Sequence, residues 1–186
     1  MMFAKFFRKM TACVAIVLLA ACSSSQESSS EVEFNRSEAV KARINLALAY
    51  LDQNDFPKAK QNIDKALAHD EKDYLPYSVL AYYYQQTGDV ANAEKAYQQA
   101  LNLSKSRPDV LNNYGTFLCK QGQFQQAYQQ FEKAIQSPKP YYHQADSLEN
   151  IILCAKKEPN PQKVAETLTQ LEKLDSPRAI LLKESQ

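Results

Sequence analysis

The chain has 186 residues, with 22 Lys and Arg against 21 Asp and Glu, so its formal charge is +1. That balance builds no basic face for nucleic acid, and the length provides one domain's worth of folded chain. Only two histidines occur, His69 and His143, and no G-x-S-x-G, HExxH or phosphate-loop motif is present, so the residues point away from catalysis.

Lys5, Arg8 and Lys9 precede a short apolar run, Met10 to Ala21. It has the length of a signal-peptide core and is too short to span a bilayer. The run ends in Leu19-Ala20-Ala21-Cys22. Small residues ahead of a cysteine resemble the bacterial lipobox. The resemblance implies a signal over residues 1–21 that is cut before Cys22, and lipidation of Cys22; the alternative is an ordinary secretory signal with a chance cysteine. Several acyl chains on one residue anchor stably, where a single chain binds only marginally. Ser23 stands where Asp would mark retention in the inner membrane, so the resemblance implies an outer-membrane protein facing the periplasm. Cleavage removes three cations and no acid, leaving a charge of about 19 − 21 = −2. Residues 22–36 hold Cys22 and a Ser/Glu/Gln-rich stretch with little to bury, expected to be a flexible tether. The alternative there is a recognition segment that orders on a partner.

From Ser37 the apolar period becomes helical, and residues 37–186 are expected to form one helical domain. Small residues recur every 34 positions, at Ala59, Ala93 and Ala127 and at Ala66, Ala100 and Ala134. Large residues do so at Ile63, Tyr97 and Phe131 and at Tyr50, Tyr84 and Leu118. Ala47, Ala81 and Gly115 let the first helix (A) of each pair approach the second (B) closely, while the large side chains fill the remaining holes. Turns are expected at Asn54-Asp55, Gly88-Asp89 and Gly122-Gln123, with Asp55 and Asp89 capping the B helices. After Pro138 and Pro140 the phase slips by about three residues, and a degenerate fourth pair follows, ending in a short terminal helix from Pro177.

A 34-residue period with this alternation of small and large resembles the tetratricopeptide (TPR) repeat. The expected fold is an all-α TPR helical-hairpin solenoid. Its repeats fall at about 40–73, 74–107 and 108–141, with a degenerate one at 145–178. A narrower resemblance rests on Asn113-Tyr114-Gly115-Thr116-Phe117-Leu118-Cys119, then Gly122, Phe131-Glu132-Lys133-Ala134 and Pro140-Tyr141, then Glu149-Asn150-Ile151-Ile152-Leu153-Cys154-Ala155. These segments look like the type IV pilus biogenesis lipoproteins of the PilF/PilW family. The resemblance implies a non-catalytic pilotin at the outer membrane that helps the pilus secretin reach that membrane and form its ring, or that stabilises the pilus. A secretin subunit is then the expected partner, with no cofactor, no nucleic acid and no small-molecule substrate. The alternative is an outer-membrane TPR scaffold that recruits peptidoglycan hydrolases or outer-membrane-protein assembly factors.

Cys119 and Cys154 fall on the A helices of repeats 3 and 4 at nearly equivalent register, so a disulfide is expected. Closing a loop of about 35 residues contributes roughly 3–4 kcal/mol in the chain-entropy picture. The alternative is two buried free thiols packing as small hydrophobes. Metal binding is not expected, for want of a CxxC or a nearby His pair. The A helices are expected to line a groove for partners through Leu48, Tyr82, Gln85, Gln86, Asn112, Thr116 and Lys120. Ile44 and Leu51 fall on the same face, and for these two and Leu48 the other reading is packing beneath the tether or an N-terminal cap. Of three consecutive tyrosines, Tyr82 is the exposed candidate and Tyr84 the core one. The plain alternative for each groove residue is a solvated helix face. Asn112-Asn113 resembles the asparagines of a TPR carboxylate clamp, but Asn112 occupies the position of the clamp's lysine.

Overall fold

Alternation of alanine with bulky side chains along each segment leaves only one way to bury both, as helices packed in pairs. The computed structural model describes the backbone of residues 29–184 and the side chains of 38–184. Its helices are α1 (Ser29–Asp52), α2 (Phe56–His69), α3 (Tyr74–Gln86), α4 (Val90–Ser104), α5 (Pro108–Lys120), α6 (Phe124–Ile135), α7 (Gln144–Lys157), α8 (Pro161–Leu174) and α9 (Ser176–Glu184). No strand occurs among the described residues. Consecutive helices pair as hairpins, α1 with α2 through a shared core, then α3 with α4, α5 with α6 and α7 with α8, and α9 closes the stack against α8. A boundary between two units of the chain falls after Asn35, and the hairpin array lies in the second unit, Arg36–Gln186. Residues 1–21, Cys22 and the segment up to residue 28 lie outside the described residues, and with them the signal and lipidation expectations.

The turns follow from local chemistry. Asn54, Gly88 and Gly122 adopt φ of 56°, 79° and 76°, the left-handed conformation that ends α1, α3 and α5. Asp55 then accepts from the Lys58 N–H and Asp89 from the Asn92 N–H, satisfying orphan donors at the starts of α2 and α4. Asn160 does the same for α8 through the Lys163 N–H. Pro108 and Pro161 open α5 and α8, where a missing N–H costs little.

The size grid fixes the packing. Ala47, Ala59, Ala66, Ala81, Ala93, Ala100, Ala127 and Ala134 are all fully buried. A methyl group built on Gly115 of α5 would lie 2.7 Å from a ring carbon of Phe131 on α6, so only glycine admits that crossing. The core runs in two clusters. One joins α1 and α2 to the start of α3, and the other carries α3 onward to α9, with Leu80 touching both.

Two sequence expectations are corrected. α1 begins at Ser29, within the segment assigned as a flexible tether over 22–36. Scarcity of apolar residues argues against packing but not against helix. Once the buried turn from Val40 is formed, each further residue adds a hydrogen bond, and no Pro or Gly intervenes over 29–36 to stop propagation. Leu51, placed on the groove face, is instead buried with Ala59 and Ile63 in the first cluster. Ile44 is also buried there, at 3 % exposure.

Candidate functional site

A groove of about 470 Å³ runs along the A helices. α1 supplies Ile44 and Leu48, α3 supplies Leu75, Ser78, Val79, Tyr82 and Gln85, and α4 contributes Tyr97 from beneath. α5 supplies Asn112, Asn113, Thr116 and Lys120, and α7 supplies Asn150. Six of the residues assigned from sequence therefore share one surface: Leu48, Tyr82, Gln85, Asn112, Thr116 and Lys120. Gln86 does not line it. It is exposed at the end of α3, where its amide donates to the Tyr82 hydroxyl at 3.1 Å. Its contribution is to orient that tyrosine.

The lining changes character along its length. Toward α1 and α3 the wall is aliphatic, through Ile44, Leu48, Leu75 and Val79. Toward α5 and α7 it is amide and hydroxyl, ending in the ammonium of Lys120. Tyr97, 2 % exposed, packs beneath this transition against Tyr114 and Phe117, and burial pushes its phenol well above the ordinary tyrosine range.

Asn112 has a second task. Its side-chain carbonyl accepts from Ser147 Oγ at 2.8 Å and from Asn150 Nδ2 at 3.1 Å, both on α7. Ser147 is fully buried and also bonds the Tyr141 hydroxyl at 2.6 Å. This amide and hydroxyl chain ties the shifted fourth hairpin to the third. Sequence reasoning missed Asn150 because the 34-residue grid had already slipped. Counting 35 residues, the interval that separates the two cysteines, pairs Ser147 with Asn112; the three-residue slip pairs Asn150 with Asn113, which also lines the groove.

The same seam carries the disulfide. Cys119 on α5 and Cys154 on α7 are bonded, with Cα atoms 5.8 Å apart. Lys157 reinforces it by donating to the carbonyls of Cys119 and Lys120 at 3.3 and 2.9 Å, which quiets the negative end of α5. α9 is held by Arg178, whose guanidinium reaches Asp146, Glu149 and Asp175. Arg178 first, and His143 after it, hold the Asp146 carboxyl below the usual carboxylate range. His69 closes the last turn of α2. Among the described residues no group of three or more His, Cys, Asp or Glu is arranged to hold a metal ion, and no helix is long and apolar enough to cross a membrane. No buried side-chain nitrogen or oxygen there lacks a hydrogen-bond partner.

Comparison with known proteins adds to this geometry. Residues 40–73 match the tetratricopeptide repeat family model, and residues 78–140 match that of YpiA-like, C-terminal tetratricopeptide repeats. An uncharacterized protein of Haemophilus influenzae is 47% identical over 172 residues, covering 92% of this chain and 93% of that protein. The type IV pilus assembly protein PilF of Pseudomonas aeruginosa is 32% identical over 123 residues, 66% of this chain and 49% of PilF, so the chain spans about half of that relative. A solved Pseudomonas aeruginosa PilF structure superposes with a TM-score of 0.70 at 30% identity, over 80% of this chain and 67% of that one. PilW, a type IV pilus biogenesis factor, superposes with a TM-score of 0.65 at 26% identity, over 73% and 61%.

Proposed function

The chain belongs to the tetratricopeptide-repeat proteins, in one family with the Haemophilus influenzae protein, and from that premise we propose that it is a pilotin-like lipoprotein of type IV pilus biogenesis. In this reading residues 1–21 are a signal, Cys22 carries the lipid, and the repeats face the periplasm from the outer membrane. The groove holds a segment of a secretin subunit while the lipid commits the complex to that membrane. No chemistry is performed; the protein contributes a surface and an address.

One observation carries this reading. The chain is distantly related to PilF and PilW across most of its hairpin array, and that array carries the groove of about 470 Å³ along its A helices. The lipobox-like Leu19-Ala20-Ala21-Cys22 supports the address. The test is deletion of the gene, followed by gel analysis of heat-stable secretin multimers and inspection for surface pili. Loss of multimers or pili is expected; unchanged multimers with normal pili would refute the reading. Cys22→Ser is expected to release the protein from membranes, and a membrane-bound variant would overturn the anchor.

A further inference from the structure

The groove's lining is asymmetric in polarity and in charge. Its residues include one cation, Lys120, and no aspartate or glutamate, in a chain where acids and bases are nearly equal in number. Several acids do lie on the described A helices and their turns, but they are engaged elsewhere. Asp109 takes Arg107 and the Tyr74 hydroxyl, while Asp146 and Glu149 take Arg178. Lys120 is exposed, and its ammonium has no ion-pair or hydrogen-bond partner among the described residues. The neighbouring Lys157 bonds the backbone carbonyls of Cys119 and Lys120, so it leaves the Lys120 ammonium open.

At the other end, Leu48 is 36 % exposed, an apolar side chain turned partly to water beside Leu75 and Val79. Between the ends stand Gln85 and Asn113, groups that both donate and accept hydrogen bonds. Amides spaced along a groove pair with a peptide backbone, whose N–H and C=O groups otherwise go unsatisfied on burial.

Resting on the reading of the groove as a partner site, we propose that its occupant is an extended acidic segment, with an aliphatic residue seated against Leu48 and a carboxylate facing Lys120. Packed helices sit about 8–10 Å apart, so two helix steps from α1 to α5 span roughly 16–20 Å. An extended strand rises about 3.3 Å per residue, which places the aliphatic residue and the acid about five or six positions apart. The amides fix the backbone between them, and the polarity sets the direction in which the segment lies.

The test uses the full mature chain and a random twelve-residue peptide display library, selected separately on wild type, on Lys120→Glu and on Leu48→Glu. Wild type is expected to enrich peptides with an aliphatic residue and an acid at that spacing. Their affinity should fall about two- to fivefold on Lys120→Glu, the upper part of the range for exposed charge pairs, and weaken with added salt. Lys120→Glu should enrich basic peptides in place of acidic ones, and Leu48→Glu should lose the aliphatic preference. Circular dichroism of each variant checks the fold; Lys120 is exposed and Leu48 is half-exposed, so both should remain helical. Enriched peptides without acidic bias, unchanged preference on Lys120→Glu, or no enrichment at all would each overturn the proposal. Synthetic peptides tiling the secretin separate the two readings. Selection of acidic library peptides without binding of any secretin peptide keeps this inference and removes the secretin. Binding of neutral secretin peptides does the reverse.

Discussion

Removing the bond between Cys119 and Cys154 is the sharpest test of how the fourth hairpin is held. The two residues are 35 apart in sequence. In the chain-entropy picture, the loop closed in the unfolded state costs it about 2.1 + 1.5R ln n cal/mol/K, which at 25 °C is about 4 kcal/mol for that loop. Both cysteines are nearly buried, at 8 % and 2 % exposure, so small apolar replacements suit the site better than polar ones. The variant Cys119→Ala/Cys154→Ala should therefore lose about 3–4 kcal/mol, less whatever structure its unfolded state retains. With a urea slope of about 2 kcal/mol/M for a domain of this size, the midpoint moves down by about 1.5–2 M. Circular dichroism follows the whole array. Amide exchange of α7 and α8 follows the fourth hairpin, because repeat arrays can open from one end. A midpoint shift below about 0.5 M, with α7 and α8 as protected as α5 and α6, would refute the entropic account.

Other outcomes follow from the packing. Gly115→Ala places a methyl group within 3.0 Å of three ring carbons of the fully buried Phe131; overpacking outweighs the gain in helix propensity, and a net loss of about 1–2 kcal/mol in urea unfolding is expected. Asn112→Ala removes the acceptor of the buried Ser147 hydroxyl and should cost about 1–2 kcal/mol, with faster exchange at the start of α7 as its local mark. The Tyr74 hydroxyl, half-buried and bonded to Asp109, is pushed up to about 12, by burial first and by Asp109 after it. Tyr114 on Glu94 and Tyr128 on Glu158 are raised too, again chiefly by burial. The folded state holds these protons longer than the unfolded one, so the tyrosines' contribution to stability is constant below pH 10 and is lost as the pH rises from 10 toward 12 and beyond. Unfolding midpoints across pH 8–12, beside the phenolate absorbance, check this; a flat profile would contradict it.

The size grid was legible because steric volume repeats with the backbone: every buried alanine at the crossings sits where its period puts it. The left-handed turns at Asn54, Gly88 and Gly122 were legible from their residue types alone. The paired cysteines could be read because two A helices in equivalent register lie side by side. Three things were not legible. Helix α1 extends to Ser29 through propagation, which composition does not record. Leu51 and Leu48 are equally apolar in sequence, yet only the packing of α2 decides that one is covered and the other half-open. Asn150 lies in the degenerate repeat, where the regular grid stops assigning positions, and it is the placing of α7 beside α5 that brings it to the groove.

That loop, residues 136–143, carries Tyr142 at 93 % exposure, an accessible point for a protease. The bond from Cys119 to Cys154 begins before it and ends beyond it. A cut at Tyr142 therefore produces two polypeptides but one molecule, with the hydrogen bonds of Asn112 and the core around Ile152 still holding the halves in register. The nicked protein runs as a single band until it is reduced, and it keeps its groove.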